Sequence, residues 1–149
     1  NKSDNPFISF IGYNFVVVPF GLIVNLVVSR YDPQLVQEAM VITGGVTGLM
    51  MILGSMFPQF FQRIAGALTI ALISVIIIEL IAIFFFGGSP AIIDWIVVLI
   101  FCGYIGYDWG RANQIPKTYD NAVDSAAALY MDIINLFLRI LRILGRSRN

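Results

Sequence analysis

The chain has 149 residues, 58% hydrophobic and 12% charged, with nine basic and nine acidic residues and a mean hydropathy of +0.85. That composition excludes an ordinary soluble domain and assigns the membrane class. The balanced charge argues against a nucleic-acid partner, and the absence of histidine excludes imidazole metal sites and histidine acid–base chemistry.

The N-terminal NKSDNP lacks the basic segment, short apolar core and cleavage site of a signal peptide. Asn1-Lys2-Ser3 matches a glycosylation sequon, which at a chain terminus reads as chance. A membrane-spanning helix needs roughly 20 mostly apolar residues. Five stretches meet or approach that length: about 7–28, 36–56, 64–86, 92–108 and 123–144. Backbone groups in lipid must be satisfied within the segment, so these read as helices; the period-2 alternation of a membrane barrel is absent.

The first helix holds Pro19, expected to kink it, and Asn14 and Asn25, expected to face protein. Tyr31-Asp32-Pro33 leads to the second, where Gly44 and Gly48 are spaced for close helix packing. Phe57-Pro58 breaks to the third helix, and Gly87-Gly88-Ser89-Pro90 to the fourth. The fourth carries Cys102, which reads as a small buried hydrophobe, and ends near a second packing pair, Gly106 and Gly110. Trp109 to Asn121 reads as the longest and most polar link.

Short links predict antiparallel neighbours in one domain, residues 1–149: an all-α, polytopic membrane helical bundle. Arg139, Arg142, Arg146 and Arg148 place the C-terminus in the cytoplasm by the positive-inside rule. Five spans then put Arg30 with them and Lys2, Arg63, Arg111 and Lys117 opposite, a margin of five to four.

Carboxylates inside these spans carry the functional signal. Asp94 follows Ser89-Pro90 by one turn and is expected at a helix N-terminus, stabilised by the helix dipole and water. Glu79 lies deeper, where a charge costs about 2.5–3.5 kcal/mol on insertion scales; it is expected either to be protonated or to face a polar cavity. Asp108 closes the fourth predicted helix, and Asp132 lies about two turns inside the fifth. An antiparallel pairing of those helices brings the two carboxyls to similar depth. Asp132, Asn135 and Arg139 continue one polar stripe that should point into the bundle. Two carboxylates close together in a low-dielectric site cannot both ionise cheaply, so they share one proton over some pH range. Such a pair is a proton-sensitive latch between helices and, once ionised, a hard oxygen site suited to Ca2+. The competing reading gives each aspartate its own helix cap or an arginine, Arg111 or Arg139.

YIGYDWGRA followed by AAALYMDIINLFLRILRILG resembles the last two helices of the transmembrane Bax-inhibitor-motif family. The resemblance is carried by Tyr107-Asp108, by the core from Leu129 to Phe137, and by the closing Leu-Gly; ITGGVTGLMM and FPQFFQRIAGAL resemble the middle helices. It implies a seven-helix bundle with the last helix central, a pH-sensitive Ca2+ leak across endoplasmic reticulum or bacterial membranes, and a proton-sharing pair at Asp108 and Asp132. Tyr107, Asn135, Arg139 and Glu79 are the supporting candidates. The five spans match the family's third through seventh. A family arginine on its second helix has no counterpart, and a five-helix version leaves one flank of the central helix exposed. Either the chain is a fragment or another membrane protein supplies those helices.

The expected function is therefore a pH-gated cation channel or transporter, with Asp108 and Asp132 gating and binding Ca2+, no cofactor and no enzymatic activity. The alternative is a non-transporting membrane partner or regulator, of a membrane protease or a cell-death complex. An intramembrane aspartyl protease is a remote third reading. Tyr107-Asp108 matches half of its signature, but Leu129-Tyr130-Met131 stands where Gly-x-Gly should precede the second aspartate, and no Pro-Ala-Leu follows. Bacterial inner membrane and eukaryotic endomembrane are not distinguished.

Overall fold

The computed structural model describes residues 6–116 and 118–147 as five α-helices: α1 Pro6–Val28, α2 Pro33–Met56, α3 Pro58–Phe86, α4 Ala91–Gln114 and α5 Tyr119–Ser147. The sequon at Asn1, and Lys2, Lys117 and Arg148 from the charge count, lie outside the described residues.

Proline and a few capping groups set the boundaries. Asp32 caps α2, its side chain accepting from Gln34 N at 3.0 Å, with Pro33 in the first turn where a missing N–H costs nothing. Phe57 alone separates α2 from α3, and Pro58 opens α3. Gly87 ends α3 in the left-handed region at φ 76°, a conformation that a residue with a Cβ resists. Before α5, Thr118 Oγ1 accepts from Asn121 N at 3.1 Å, and Asn121 Nδ2 donates to Pro116 O at 2.8 Å.

The stretch 109–114, expected as linker, is instead helix, so Asp108 lies inside α4 rather than at its end. The extra turns survive because their polar groups find partners across the bundle. Trp109 Nε1 donates to Ser55 Oγ at 2.8 Å, and Gln62 Nε2 donates to Gln114 Oε1 at 2.6 Å. α3 likewise starts six residues before the expected span, because hydropathy marks the apolar part of a helix and not its ends.

α4 and α5 form the central hairpin. α3 packs on α4, α1 on α5, and α2 against both. Ile105 of α4 and Leu136 and Leu141 of α5 are fully buried at the hairpin's core, joined by Leu35 and Ala39 of α2. The outer surfaces are apolar: Phe15 on α1 and Phe84, Phe85 and Phe86 on α3 are three-quarters exposed or more. Among the described residues four helices, α1 to α4, are long and apolar enough to cross a membrane. The fifth expected span is less simple. At 29 residues, α5 runs about 43 Å, ample for a 30 Å hydrocarbon core, but it concentrates polar residues on one stripe. Its length and central packing keep it in the bundle, with that stripe against α3 and α4.

Small residues do set the closest helix approach, though not all the expected ones. A Cβ at Gly54 of α2 would collide with the Gly106 carbonyl of α4, and one at Gly106 would strike the Phe61 ring of α3. Gly44 and Gly48 have nothing within 4 Å of a built Cβ; they lie on the open face of α2, whose buried face is Leu35, Ala39, Thr43 and Thr47. Asn25 is exposed rather than turned to protein, and Asn14 bonds its own helix at Phe10 O, 3.0 Å away. Pro19 lies within a continuous α1. Cys102 is a free thiol packed, partly buried, against the core.

Candidate functional site

α3, α4 and α5 line an open-sided cavity of about 530 Å³. Its walls are mostly apolar: Leu72 and Ile76 from α3, Val97 and Phe101 from α4, Ala128 and Met131 from α5. The polar exceptions are Tyr104, Tyr107 and Asp108 of α4 and Asp132, Asn135 and Arg139 of α5. That volume is far above what a single water needs and leaves room for a hydrated cation.

The antiparallel hairpin explains why these carboxyls meet. Asp108 and Asp132 are electrostatic neighbours across α4 and α5, both lining the cavity. Asp132 is only 7% exposed, and its Oδ2 has no hydrogen-bond partner. A buried carboxylate oxygen left unpaired is costly. One proton between the two carboxyls would supply the missing bond. Asn135 Nδ2 is directed to its own helix, at Met131 O 2.7 Å away, so its carbonyl oxygen is the end left for a cation or water. Tyr104 OH donates to Thr69 Oγ1 at 2.9 Å, fixing the α3 wall. Among the described residues no group of three or more acidic or thiol side chains converges, so a cation here would rely on Asp108, Asp132, amide oxygen and water.

A second polar centre lies at the other end of the same stripe. Fourteen residues back from Asp108 along α4 is Asp94, and fourteen forward from Asp132 along α5 is Arg146. A hairpin that levels the first pair therefore levels the second, about 21 Å along the bundle. Arg146 Nη1 is 3.4 Å from Asp94 Oδ2, as that register demands. Arg139, midway between Asp132 and Arg146, lines the cavity while its guanidinium reaches this lower centre. Nη1 contacts Glu79 Oε2 at 2.7 Å and Asp94 Oδ1 at 2.8 Å, and Nη2 donates to Glu79 Oε1 at 2.8 Å. Arg142 approaches both carboxylates at 3.6 Å, and its Nη2 donates to Ser89 Oγ at 2.7 Å.

Of the sequence-derived candidates, Asp108, Asp132, Tyr107, Asn135 and Arg139 line the cavity. Glu79 does not; it is ion-paired with Arg139 below it. Asp94 requires a correction. It sits in the first turn of α4 but is 0% exposed, so arginines and not water stabilise it. Arg142, Arg146 and Ser89 were missed as members of this cluster. The signal was present: Arg139, Arg142 and Arg146 repeat at i, i+3 and i+7, on the same stripe as Asp132 and Asn135.

The family model described as inhibitor of apoptosis-promoting Bax1 matches residues 1–149. The chain belongs to the Bax inhibitor family. It is 35% identical over 135 residues to Bax inhibitor 1 of Schizosaccharomyces pombe, covering 87% of this chain and 49% of that protein. A BI1-like protein of Arabidopsis thaliana is 35% identical over 124 residues, 79% of this chain and 48% of the relative. An uncharacterised membrane protein of Streptococcus pyogenes is 31% identical over 134 residues, 85% and 58% respectively. The chain thus spans about half the length of these relatives. No solved structure matches it significantly. Family membership and four apolar helices make it an integral membrane protein.

Proposed function

We propose that this Bax inhibitor family protein is a proton-sensitive Ca2+ leak channel or transporter, gated by Asp108 and Asp132. The observation that carries the reading is the buried, unpartnered Asp132 Oδ2 beside the Asp108 carboxyl in an apolar-walled cavity. With one proton shared, the hydrogen bond clamps α4 to α5 and neutralises the charge that would attract a cation. With the proton gone, two like charges repel, and a divalent cation between them is the cheapest compensation. Ca2+ fits as cargo because it accepts a flexible shell of carboxylate, amide and water oxygens. No resident cofactor and no bond-making step are needed.

A non-transporting regulator of a membrane assembly is the second reading, favoured by the family's description as an inhibitor of apoptosis-promoting Bax1. Ca2+ flux into proteoliposomes, measured across pH for the wild type and Asp132→Asn, separates them. The channel reading expects pH-dependent flux whose pH response disappears in the variant. No flux from wild-type protein, together with stoichiometric copurification of a second membrane protein, would favour the regulator.

A further inference from the structure

We propose that Glu79 and Asp94 are positioning residues that hold the Arg139 guanidinium away from Asp132, and that this retention leaves the two-aspartate cavity open to a cation. The inference rests on the reading of that cavity as a cation site. Three observations converge on it. The Arg139 side chain lines the cavity. By register, Arg139 stands seven residues from Asp132 and seven from Arg146, midway between the two acidic centres that α5 faces. Finally, each centre holds a buried carboxylate oxygen without a hydrogen bond, but Asp94 Oδ2 below faces Arg142 and Arg146 at 3.6 and 3.4 Å. Asp132 Oδ2 beside Asp108 has no such ion pair among the described residues and is what a guanidinium would seek.

The guanidinium nonetheless lies below, and the reason is the geometry offered there. Glu79 receives both terminal nitrogens in a two-point contact, 2.7 and 2.8 Å long, and Asp94 adds a third contact at 2.8 Å. Two-point guanidinium–carboxylate pairing is stronger and more directional than a single contact. Arg142 and Arg146 crowd the same carboxylates but sit at 3.4–3.6 Å, so neither replaces Arg139. The charged and titratable residues that line the cavity are then Tyr104, Tyr107, Asp108, Asp132 and Arg139, the last with its guanidinium bound to Glu79 and Asp94. If the lower carboxylates lost their charge, the guanidinium would turn to Asp132 and occupy the place of the cation. Glu79 and Asp94 thus act on cation access through Arg139, without touching the cation.

The test uses the full chain in proteoliposomes and in a determined structure. Glu79→Gln with Asp94→Asn is expected to cut Ca2+ flux at least about tenfold, the scale of a close charge pair. Adding Arg139→Met is expected to recover most of that flux, which a merely structural role for the two carboxylates would not allow. A structure of the double variant should place the guanidinium within hydrogen-bond distance of Asp132. A guanidinium that stays beside residues 79 and 94 overturns the proposal, as does a folded triple variant without recovery. Should the double variant not fold, Glu79→Gln alone is expected to give a partial loss reversed by Arg139→Met; undiminished flux would overturn it. If wild-type protein carries no flux, the cation reading fails by itself, and the guanidinium's position in the variant still decides the positioning role.

Discussion

Arg139 grips Glu79 at two points, Nη1 to Oε2 at 2.7 Å and Nη2 to Oε1 at 2.8 Å. Nη1 also reaches the fully buried Asp94 at 2.8 Å. Removing one partner from a buried ionic group strands the others, at about 3–5 kcal/mol, whereas removing the charges together is far cheaper. Arg139→Leu is therefore expected to destabilise the protein by about that amount, read as a shift in unfolding midpoint in detergent. Adding Glu79→Gln and Asp94→Asn should recover only part of the loss, because Arg142 and Arg146, 3.4–3.6 Å from the same carboxylates, then lose their partners. Equal stability of Arg139→Leu and wild type would show that the cluster is not charge-balanced by Arg139.

The α2–α4 contact rests on Gly54 and Gly106, where no Cβ fits. Gly54→Ala forces the backbones apart and is expected to cost about 1–3 kcal/mol, the range for overpacking. Gly44→Ala is the control. It meets open space on the same helix and should be neutral or stabilising by up to about 1 kcal/mol through helix propensity. Equal effects from both would contradict the assigned packing face.

α1 is fastened to the central hairpin in part by Tyr130, whose hydroxyl donates to Val17 O at 3.1 Å. Tyr130→Phe keeps the ring and removes the bond, so a loss of about 0.5–1.5 kcal/mol is expected. Faster amide exchange confined to α1 would locate that loss where the contact is made; exchange spread evenly through α4 and α5 would contradict it.

Much of this architecture was legible in the sequence because lipid imposes it. Apolar runs announced the helices, and Pro33, Pro58 and Pro90 announced the breaks between them, although α2 and α3 begin at Pro33 and Pro58 themselves, before the expected spans. The Asp132–Asn135–Arg139 stripe was visible as helical spacing, and all three residues line the cavity. What escaped depended on long-range register. Asp94 looked like an ordinary helix-start carboxylate, since only the folded hairpin brings Arg139, Arg142 and Arg146 to it. The extent of α4 escaped for the same reason: Trp109 and Gln114 read as linker until Ser55 and Gln62 are seen to pair with them. Gly44 and Gly48 have the spacing of a packing motif, but spacing does not say which face a neighbour covers.

Removing either carboxyl of the upper pair ends proton sharing. Asp108→Asn and Asp132→Asn should each abolish the pH response of Ca2+ flux, and the double variant should resemble either single one, since the two groups act as a unit. Effects that add across the two sites would mean that they titrate independently.

The most direct measurement is a carboxyl-carbon NMR titration of Asp108 and Asp132 in the reconstituted protein, with Asp108→Asn as comparison. Proton sharing requires that both carboxyl signals move together in two separated steps in the wild type, and that Asp132 follow a single step in the variant. Two independent curves, with Asp132 titrating identically whether or not Asp108 is present, would contradict the account.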